Sequence, residues 1–409
     1  MQINRIFASK ILNSRKEETI SVLVESNNIK AEASAPSGKS KGIHEVKDLS
    51  EKGIDFSILF INVLGRKIIN DNIRFGAFED IEKVEELVKH YDKTKNFEFI
   101  GGNSLYALEA AILKAIAESQ KQELYKFLLQ NKTKKIPRLV GNCIGGGLHI
   151  KQKEKTDWQE FLLIPKTKTV SDASFINIRA YEEAKSLLAE KDKKFRNNLT
   201  DENALASTLD NESVLVLLEE VIKKIKEKFG ITIDLGVDFA SSSFWNGLKY
   251  HYGNFSEDMK QKTLVKKEQA EYMFNVIKKH NLIYAEDAFH QEDFSSFANM
   301  TKKLKNVMVV GDDLTCTIYE RVEKAIKEGS INALIIKPNQ AGSLIETKKV
   351  VDLAKKNGIT TIISHRSGET QDNFISHLAV GWEIPFIKTG ILGKERLAKI
   401  NELIRIEKN

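Results

Sequence analysis

The sequence predicts an α/β protein in which a C-terminal β/α barrel follows a smaller α+β domain. In the second half of the chain, short apolar runs end on Glu286, Asp312, Lys337, His365 and Lys388. These ends are spaced about 25 residues apart, which is the length of one βα unit. Such runs are typical of buried parallel strands. Because the carboxyl ends of barrel strands meet at one face, we expect the active site there.

Helical patterns separate these strands, notably over residues 318–329 and 344–357, and Gly358 ends the second. Residues 231–238 form another apolar run that reaches an acid, Asp238. The alternation of strands and helices therefore covers much of the C-terminal half.

The N-terminal part predicts the smaller domain. Residues 20–25 alternate like a half-buried strand, and residues 29–35 are expected to pair with it in a hairpin. Helical patterns follow, one of them over residues 104–117. Strands followed by helices are typical of an α+β domain. We therefore expect a capping domain over residues 1–132 and a barrel over residues 133–409.

Bulk properties indicate a soluble globular protein of about two domains. The 409 residues are 41% hydrophobic and 29% charged, with a net charge of +6. The lysines are mixed with glutamates along helices, which favours solvated faces over a nucleic-acid patch. The first 18 residues alternate charged and apolar residues, unlike a signal peptide. No run is long and apolar enough for a membrane span.

The two cysteines, Cys143 and Cys316, suggest neither a metal cluster nor a disulfide framework. A reducing cytoplasmic location fits this usage best.

Lys337 can be interpreted in two ways. A lysine at a strand end in a water-poor pocket loses its proton more readily than one in solvent, and can act as a base. Alternatively, it extends its ammonium from the strand end into water. The acids at neighbouring strand ends favour the first interpretation. Asp238, Glu286 and Asp312 would converge at one barrel mouth, where ionised carboxylates require a cation. Oxygen ligands select a hard ion, and Mg²⁺ is the natural choice.

Several loop motifs are weaker signals. Residues 36–45, with two glycines, two serines and two lysines, can fold over an anion or form an ordinary turn. Three glycines precede His149, while Gln159 and Glu160 begin an apolar run and Glu202 lies in a polar loop.

Taken together, ordered passages across the whole chain match one known pattern. They are Pro36-Ser37-Gly38, Glu45, Gln159-Glu160-Phe161, Gly311-Asp312-Asp313-Leu314-Thr315, Lys337-Pro338-Asn339-Gln340, Ser364-His365-Arg366-Ser367-Gly368-Glu369-Thr370, Arg396-Leu397-Ala398-Lys399 and Leu403-Ile404-Arg405-Ile406-Glu407. Through them the chain resembles the enolases from residue 1 to about residue 407. The resemblance implies an enolase-type barrel and the dehydration of 2-phosphoglycerate to phosphoenolpyruvate in glycolysis and gluconeogenesis.

The resemblance also implies residue roles. Lys337 would remove the C2 proton, and Glu202 would assist departure of the C3 hydroxyl. Two Mg²⁺ ions are implied in each site, with protein ligands Asp238, Glu286, Asp312 and Ser40. Substrate-binding roles fall on His149, Gln159, Glu160, His365, Arg366, Ser367 and Lys388. A homodimer or homo-octamer is likewise implied.

The implied reaction needs such a constellation. Removing a proton next to a carboxylate leaves two negative charges on that carboxylate, which metal ions and Lys388 would stabilise. Lys337 must be neutral to act, and we expect neighbouring cations to lower its pKa.

This sequence departs from the enolase pattern in its loops. Lys39 and Lys41 stand where small or hydroxylated residues are usual, and Asn203-Ala204 replaces two glycines after Glu202. No catalytic group is lost, but loop closure, rate or substrate preference can change.

Three functional hypotheses follow. The first is an active, Mg²⁺-dependent enolase. The second is a related enzyme of the same superfamily that acts on another acid substrate. The third is a weakly active homologue that serves as a binding or scaffold protein.

Overall fold

A computed structural model describes residues 1–39, 41–130 and 132–409. It confirms an α/β protein with a closed barrel and a separate N-terminal sheet. Ser40 was assigned to a metal site from the sequence, and it lies outside the described residues.

The N-terminal sheet has the antiparallel order β1-β2-β3. Its strands are β1 (Arg5–Leu12), β2 (Glu18–Ser26) and β3 (Ile29–Ser34). The predicted hairpin between β2 and β3 is confirmed, with Ser26 paired to Ile29. Strand β1 was not predicted, although the alternation of charged and apolar residues in this stretch is itself a strand pattern. Ile6 and Ala8 of β1 are buried, whereas Phe7 between them is exposed.

Four helices follow in the N-terminal part. They are α1 (Ile54–Asn70), α2 (Glu82–Tyr91), α3 (Gly102–Ser119) and α4 (Leu124–Leu129). Helix α3 packs on β2 and β3, and residues 102–113 are all buried. A helix that is apolar on most faces is expected at the centre of a domain, as its sequence predicted.

The C-terminal part contains the remaining strands and helices. The strands are β4 (Arg138–Gly145), β5 (Glu160–Pro165), β6 (Leu205–Ala206), β7 (Ile233–Asp238), β8 (Tyr250–Tyr252), β9 (Lys262–Leu264), β10 (Tyr284–Glu286), β11 (Met308–Gly311), β12 (Ala333–Ile336), β13 (Thr360–Ser364) and β14 (Phe386–Lys388). The helices are α5 (Val170–Lys191), α6 (Asn211–Phe229), α7 (Lys266–Lys279), α8 (Phe294–Lys303), α9 (Tyr319–Lys327), α10 (Pro338–Ala341), α11 (Leu344–Lys356), α12 (Phe374–Gly381) and α13 (Lys394–Lys408).

Eight strands close the barrel in the order β4-β5-β7-β10-β11-β12-β13-β14, and β14 pairs back onto β4. Side chains fill its interior as a small separate core. They are Val140, Leu162, Ile164, Tyr284, Val310, Ala333, Ile335 and Ile362. The barrel is therefore a packed core, and chemistry is confined to its mouth.

Strand β5 breaks the regular alternation of strand and helix. It runs antiparallel to both neighbours, β4 and β7, and a connection without an α-helix joins it to β4. An antiparallel neighbour does not need the helical crossover that a parallel strand requires. Because β5 is reversed, its first residue, Glu160, lies beside the last residue of β7, Asp238.

Two buried carboxyl groups join the N-terminal part to the barrel. Glu109 of α3 accepts a 2.6 Å hydrogen bond from the backbone N–H of Leu344, at the start of α11. Glu85 of α2 accepts one from the hydroxyl of Ser343. Lys89 lies 3.6 Å from Glu85. Burial and the charge of Glu85 raise the pKa of Glu109 well above its ordinary value.

We expect Glu109→Gln to be more stable than wild type at neutral and alkaline pH, where ionisation of Glu109 destabilises the wild-type fold. A carboxyl whose pKa is raised in the folded state contributes its full stability below its ordinary pKa of 4.5, and that contribution falls as pH rises. Glutamine keeps an acceptor for the Leu344 N–H and carries no charge. The difference in Tm between variant and wild type should therefore grow from pH 5 to pH 8. The exposed Glu86→Gln on α2 is the matched control, and an equal difference at both pH values would contradict the prediction.

Candidate active site

The ends of the barrel strands bring one lysine and three acids together. Nζ of Lys388, at the end of β14, lies 3.0 Å from Oδ2 of Asp238 and 2.9 Å from Oε2 of Glu286. It is also 3.1 Å from Oε2 of Glu160. All four side chains are buried. This cluster confirms that the strand ends converge, as the spacing of the apolar runs predicted.

A second cluster joins the ends of β11 and β12. The ammonium of Lys337 forms an ion pair with Oδ2 of Asp312. Gln340 donates a 3.0 Å hydrogen bond from Nε2 to the other carboxylate oxygen, Oδ1. Lys337 therefore faces a charged partner in the barrel mouth, and the alternative of a solvent-exposed ammonium is wrong.

The protein's own groups leave the pKa of Lys337 above its ordinary value. Burial is the largest single effect and lowers this pKa, and the charges of Arg366 and Lys388 lower it further, but carboxylates led by Asp312 raise it by more in total. The neighbouring cations Arg366 and Lys388 thus lower the pKa of Lys337 as expected, but the carboxylates outweigh them. The ion pair with Asp312 therefore favours the protonated form of Lys337.

The carboxylates at the mouth have the properties of a cation site. Asp238, Glu286 and Asp312 supply only oxygen, which suits a hard divalent ion. Within the described residues, the buried Oε1 of Glu286 has no hydrogen-bond partner. Burial and the charge of Asp238 raise the pKa of Glu286 to about 8, which Lys388 only partly offsets. A bound cation would favour the ionised form of Glu286 that burial and the neighbouring acid disfavour.

Asp287 is a supporting residue to which the sequence analysis gave no role. Its two carboxylate oxygens accept the backbone N–H groups of Asp312, at 3.0 Å, and Asp313, at 2.7 Å. These bonds fix the turn that presents Asp312 to Lys337. The adjacent acids in Glu286-Asp287 and Asp312-Asp313 were the available signal in the sequence.

Glu202 lies in a separate polar cluster of the same site. Asn142 donates a 3.1 Å hydrogen bond to its Oε2. His365 Nε2 is 3.6 Å from that oxygen, and His149 Nδ1 is 3.6 Å from Oε1. The carboxylate thus has one strong donor and two ring nitrogens at longer range.

The two acids of this region have opposite pKa shifts. Burial raises the pKa of Glu202, but the charges of His365 and His149 outweigh it and hold the pKa well below its ordinary value. Burial and the charge of Glu202 raise the pKa of Glu160. Oxygens of both acids and a nitrogen of His149 lie within 4.8 Å of one another. These opposite shifts favour a proton on Glu160 over one on Glu202.

Arg366 and Ser367 follow β13 at the edge of the site. Arg366 is buried and bonded to Glu45 at 2.8 Å and to the side-chain oxygen of Asn339 at 3.1 Å. Ser367 Oγ accepts a 3.1 Å hydrogen bond from Arg15. The guanidinium is thereby held with a fixed orientation, as bidentate recognition of an anion requires.

Arg15 and Arg396 are two basic residues near the site to which the sequence analysis gave no role. Arg396 is fully buried and donates 2.9 Å and 3.2 Å hydrogen bonds to the Ser367 carbonyl and the Ser14 hydroxyl. The two arginines therefore hold the segment that carries Ser367, one through its hydroxyl and the other through its backbone.

The glycine- and serine-containing loop enters the site beside Arg366. Ser37 exchanges two backbone hydrogen bonds with Gly368, of 2.8 and 2.9 Å. A Cβ added at Gly38 would lie 1.8 Å from an Nη atom of Arg366, so only glycine fits there. These contacts indicate that the loop packs specifically against the site and is not an ordinary turn.

One cavity collects all seven of the predicted substrate-binding residues. Its walls include Gly38, Lys39, His149, Gln159, Glu160, Glu202, Lys337, Ser364, His365, Arg366, Ser367 and Lys388. The contacts of Lys388 and Lys337 place Asp238, Glu286 and Asp312 against the same cavity. Every described residue assigned to the site from the sequence is therefore brought together.

Comparison with known proteins assigns both parts of the chain to one family. Residues 133–409 match the family described as the enolase C-terminal TIM barrel domain, and residues 3–128 match the enolase N-terminal domain. The chain belongs to the enolase family. It is 38% identical to the enolase of Methanosphaera stadtmanae over 400 residues, which covers 97% of this chain and 95% of the relative.

Two further enolases are similar to this chain over nearly their full lengths. The Archaeoglobus fulgidus enolase is 36% identical over 408 residues, covering 100% of this chain and 97% of the relative. The Thermoplasma acidophilum enolase is 35% identical over 408 residues, covering 100% and 98%. The resemblance inferred from scattered motifs is confirmed.

The loop after Glu202 keeps its turn despite its departure from the enolase pattern. Asn203 has a φ of 63°, in the left-handed region that glycine adopts most easily. Asparagine is among the few other residues that tolerate this region. Asn203 N–H donates a 3.0 Å hydrogen bond to the Thr200 carbonyl, and Tyr181 donates to the Asn203 carbonyl at 3.1 Å. The backbone therefore presents Glu202 without the glycine.

Proposed function

We propose that this protein is an active enolase, a hydro-lyase that interconverts 2-phosphoglycerate and phosphoenolpyruvate in glycolysis and gluconeogenesis. One observation carries the proposal. Lys337, whose side chain is only 14% exposed, and the buried Glu202 line one cavity together with the cations Arg366 and Lys388. A base and an acid facing one small anion is the arrangement that removal of a proton and a hydroxyl requires.

In this proposal Lys337 takes the C2 proton and Lys388 contacts the substrate carboxylate. Arg366 and Ser367 bind the phosphate, and their fixed hydrogen bonds keep the substrate in one register. Glu202 faces the C3 hydroxyl and assists its departure. The lowered pKa of Glu202 favours its ionised form in the resting site, so in this proposal a proton reaches it before it donates one. Glu160, whose raised pKa favours its protonated form, lies in the same cluster.

His149, Gln159 and His365 complete the walls of the pocket in this proposal. Each is buried against a charged group: His149 and His365 against Glu202, and Gln159 against Asp238. Their role is to exclude water and to keep these carboxylates in place.

We propose that two Mg²⁺ ions bind each site. Asp238, Glu286 and Asp312 fit the first, and the family pattern assigns Ser40 to the second. When bound, the ions supply positive charge that neutralises these carboxylates, weakens the hold of Asp312 on the Lys337 proton and offsets the charge of the deprotonated substrate carboxylate.

A direct spectrophotometric assay tests the function. Purified protein with 2-phosphoglycerate and Mg²⁺ should produce phosphoenolpyruvate, followed by its ultraviolet absorbance. Turnover of another acid in preference to 2-phosphoglycerate would favour a related superfamily enzyme. Absence of turnover, together with RNA binding that survives Lys337→Ala, would favour a binding or scaffold protein.

We expect removal of divalent cations to lower stability as well as activity. Mg²⁺ that binds only the folded state at about 100 times its Kd adds roughly 2.7 kcal/mol to the free energy of unfolding. Protein dialysed against EDTA should therefore have a lower Tm than protein in excess Mg²⁺. In Asp238→Asn, most of this difference in Tm between EDTA and excess Mg²⁺ should disappear. Asp234→Asn is the matched control, because Asp234 lies on the same strand and pairs with Lys166 at 2.6 Å. An equal Mg²⁺ effect in both variants would contradict the assignment of Asp238.

We further propose a domain boundary near residues 132–133, a cytoplasmic location and a homodimer or homo-octamer. The gap between the two family matches, at residues 128 and 133, supports the boundary. Within residues 1–39, 41–130 and 132–409, no helix has the length and apolar character needed to cross a bilayer. Light scattering of the purified protein tests the oligomeric state.

A further inference from the structure

Lys39 makes a contact across the mouth of the active site, and the proposed mechanism assigns it no role. Its Nζ lies 3.5 Å from Oδ2 of Asp201, the residue just before Glu202. The Lys39 side chain is 26% exposed and that of Asp201 is 14% exposed. An ion pair that is partly buried in this way is screened less by salt than one on the open surface.

The backbone of Lys39 is held from the other side. Its N–H donates a 3.0 Å hydrogen bond to Oγ of Ser367, in the loop after β13. The preceding residues are fixed as well, by the backbone pairing of Ser37 with Gly368 and the close fit of Gly38. Lys39 therefore has its main chain on the Ser367 side of the cavity and its ammonium on the Glu202 side.

Asp201 depends on charge contacts for its position. Within the described part of the chain, neither of its carboxylate oxygens has a hydrogen-bond partner. Its Oδ1 lies 3.6 Å from Nδ1 of His149, and that nitrogen is also 3.6 Å from Glu202. The Asp201 N–H reaches the His149 carbonyl at 3.3 Å. A side chain between Lys39 and His149 thus borders directly on Glu202.

We propose that Lys39 is a positioning residue, which through its ion pair with Asp201 ties the loop carrying Glu202 to the loop of residues 36–39. The inference deepens the proposed function, because Glu202 has its catalytic role there. The competing interpretation is that Lys39 contacts the substrate directly. That interpretation predicts a different kinetic signature, since loss of a binding contact raises KM whereas misplacement of Glu202 lowers kcat.

A double-mutant cycle on Lys39→Met and Asp201→Asn separates the two interpretations. A partly exposed ion pair typically changes an equilibrium constant by a factor of about two to five. We therefore expect each variant to lower kcat by that factor with KM unchanged. The double variant should be no worse than either single one, because both remove the same contact.

Lys41 provides the matched control. It lies two residues after Lys39 and carries the same charge, but its Nζ pairs with Asp48 at 2.6 Å. Lys41→Met combined with Asp201→Asn should therefore give independent effects. Independent effects in the Lys39 cycle, or a raised KM with an unchanged kcat in Lys39→Met, would overturn the proposal.

Hydrogen exchange gives a measurement that does not need turnover. Backbone amides of residues 198–206 should exchange faster in Lys39→Met and in Asp201→Asn, to the same extent as in the double variant, and at the wild-type rate in Lys41→Met. If the wild-type protein lacked enolase activity, this measurement would still test the contact. Unchanged exchange in Lys39→Met would show that Lys39 does not hold this loop.

Discussion

Lys337→Ala should lower kcat for 2-phosphoglycerate by roughly 10²- to 10⁴-fold, the usual contribution of a positioned general base. Alanine leaves no group at the end of β12 that can accept the C2 proton. The variant should still fold, which its Tm and circular dichroism would check. A decrease of less than tenfold in a folded variant would contradict the role of Lys337.

Exchange of the substrate C2 hydrogen with solvent deuterium makes this prediction specific. Lys337→Ala should lose that exchange together with turnover, because both need the base. Glu202→Gln should lose turnover but retain exchange, since Glu202 acts on the C3 hydroxyl rather than on C2. The same loss in both variants would contradict this division of roles.

Lys388→Met should destabilise the fold by about 3–5 kcal/mol, the typical result of leaving buried charge without its partner. Its ammonium lies within 3.1 Å of three buried acids, Glu160, Asp238 and Glu286. Methionine has a similar length but cannot offset their charge. Thermal unfolding in EDTA would measure the loss.

Added Mg²⁺ should restore part of that stability, and it should raise the Tm of Lys388→Met by more than that of wild type. The reason is that the variant offers the cation a more negative site. Lys399→Met is the matched control. Lys399 is also buried, but it pairs with one acid, Glu369 at 2.8 Å, and with two backbone carbonyls. We expect Mg²⁺ not to restore the stability that Lys399→Met loses. An equal increase in Tm on adding Mg²⁺ to both variants would contradict the prediction.

The sequence predicted the strand ends well because each is an apolar run followed by an ionisable residue. That local pattern located Asp238, Glu286, Asp312, Lys337 and Lys388 at one barrel mouth. The residues on loops, such as His149 and Glu202, have no comparable pattern around them. They were assigned through the family resemblance, which the matches over both parts of the chain confirm.

Other features depend on contacts between distant parts of the chain, which local patterns do not contain. The reversal of β5 is set by its pairing with β4 and β7. The raised pKa of Lys337 follows from its ion pair with Asp312, 25 positions earlier. The role of Asp287 depends on two backbone N–H groups of another strand end. Tertiary structure alone supplies these interactions.

The reversed strand also makes the segment between β4 and β5 different from the other barrel connections. A connection between parallel strands leaves the mouth and returns at the opposite end of the barrel, so only one of its ends touches substrate. Here both ends are at the mouth, since β4 ends at Gly145 and β5 begins at Glu160, its partner. The segment is therefore anchored at the site at both of its ends. His149 and Glu160, two walls of the cavity, belong to one short connection whose ends are fixed by neighbouring barrel strands.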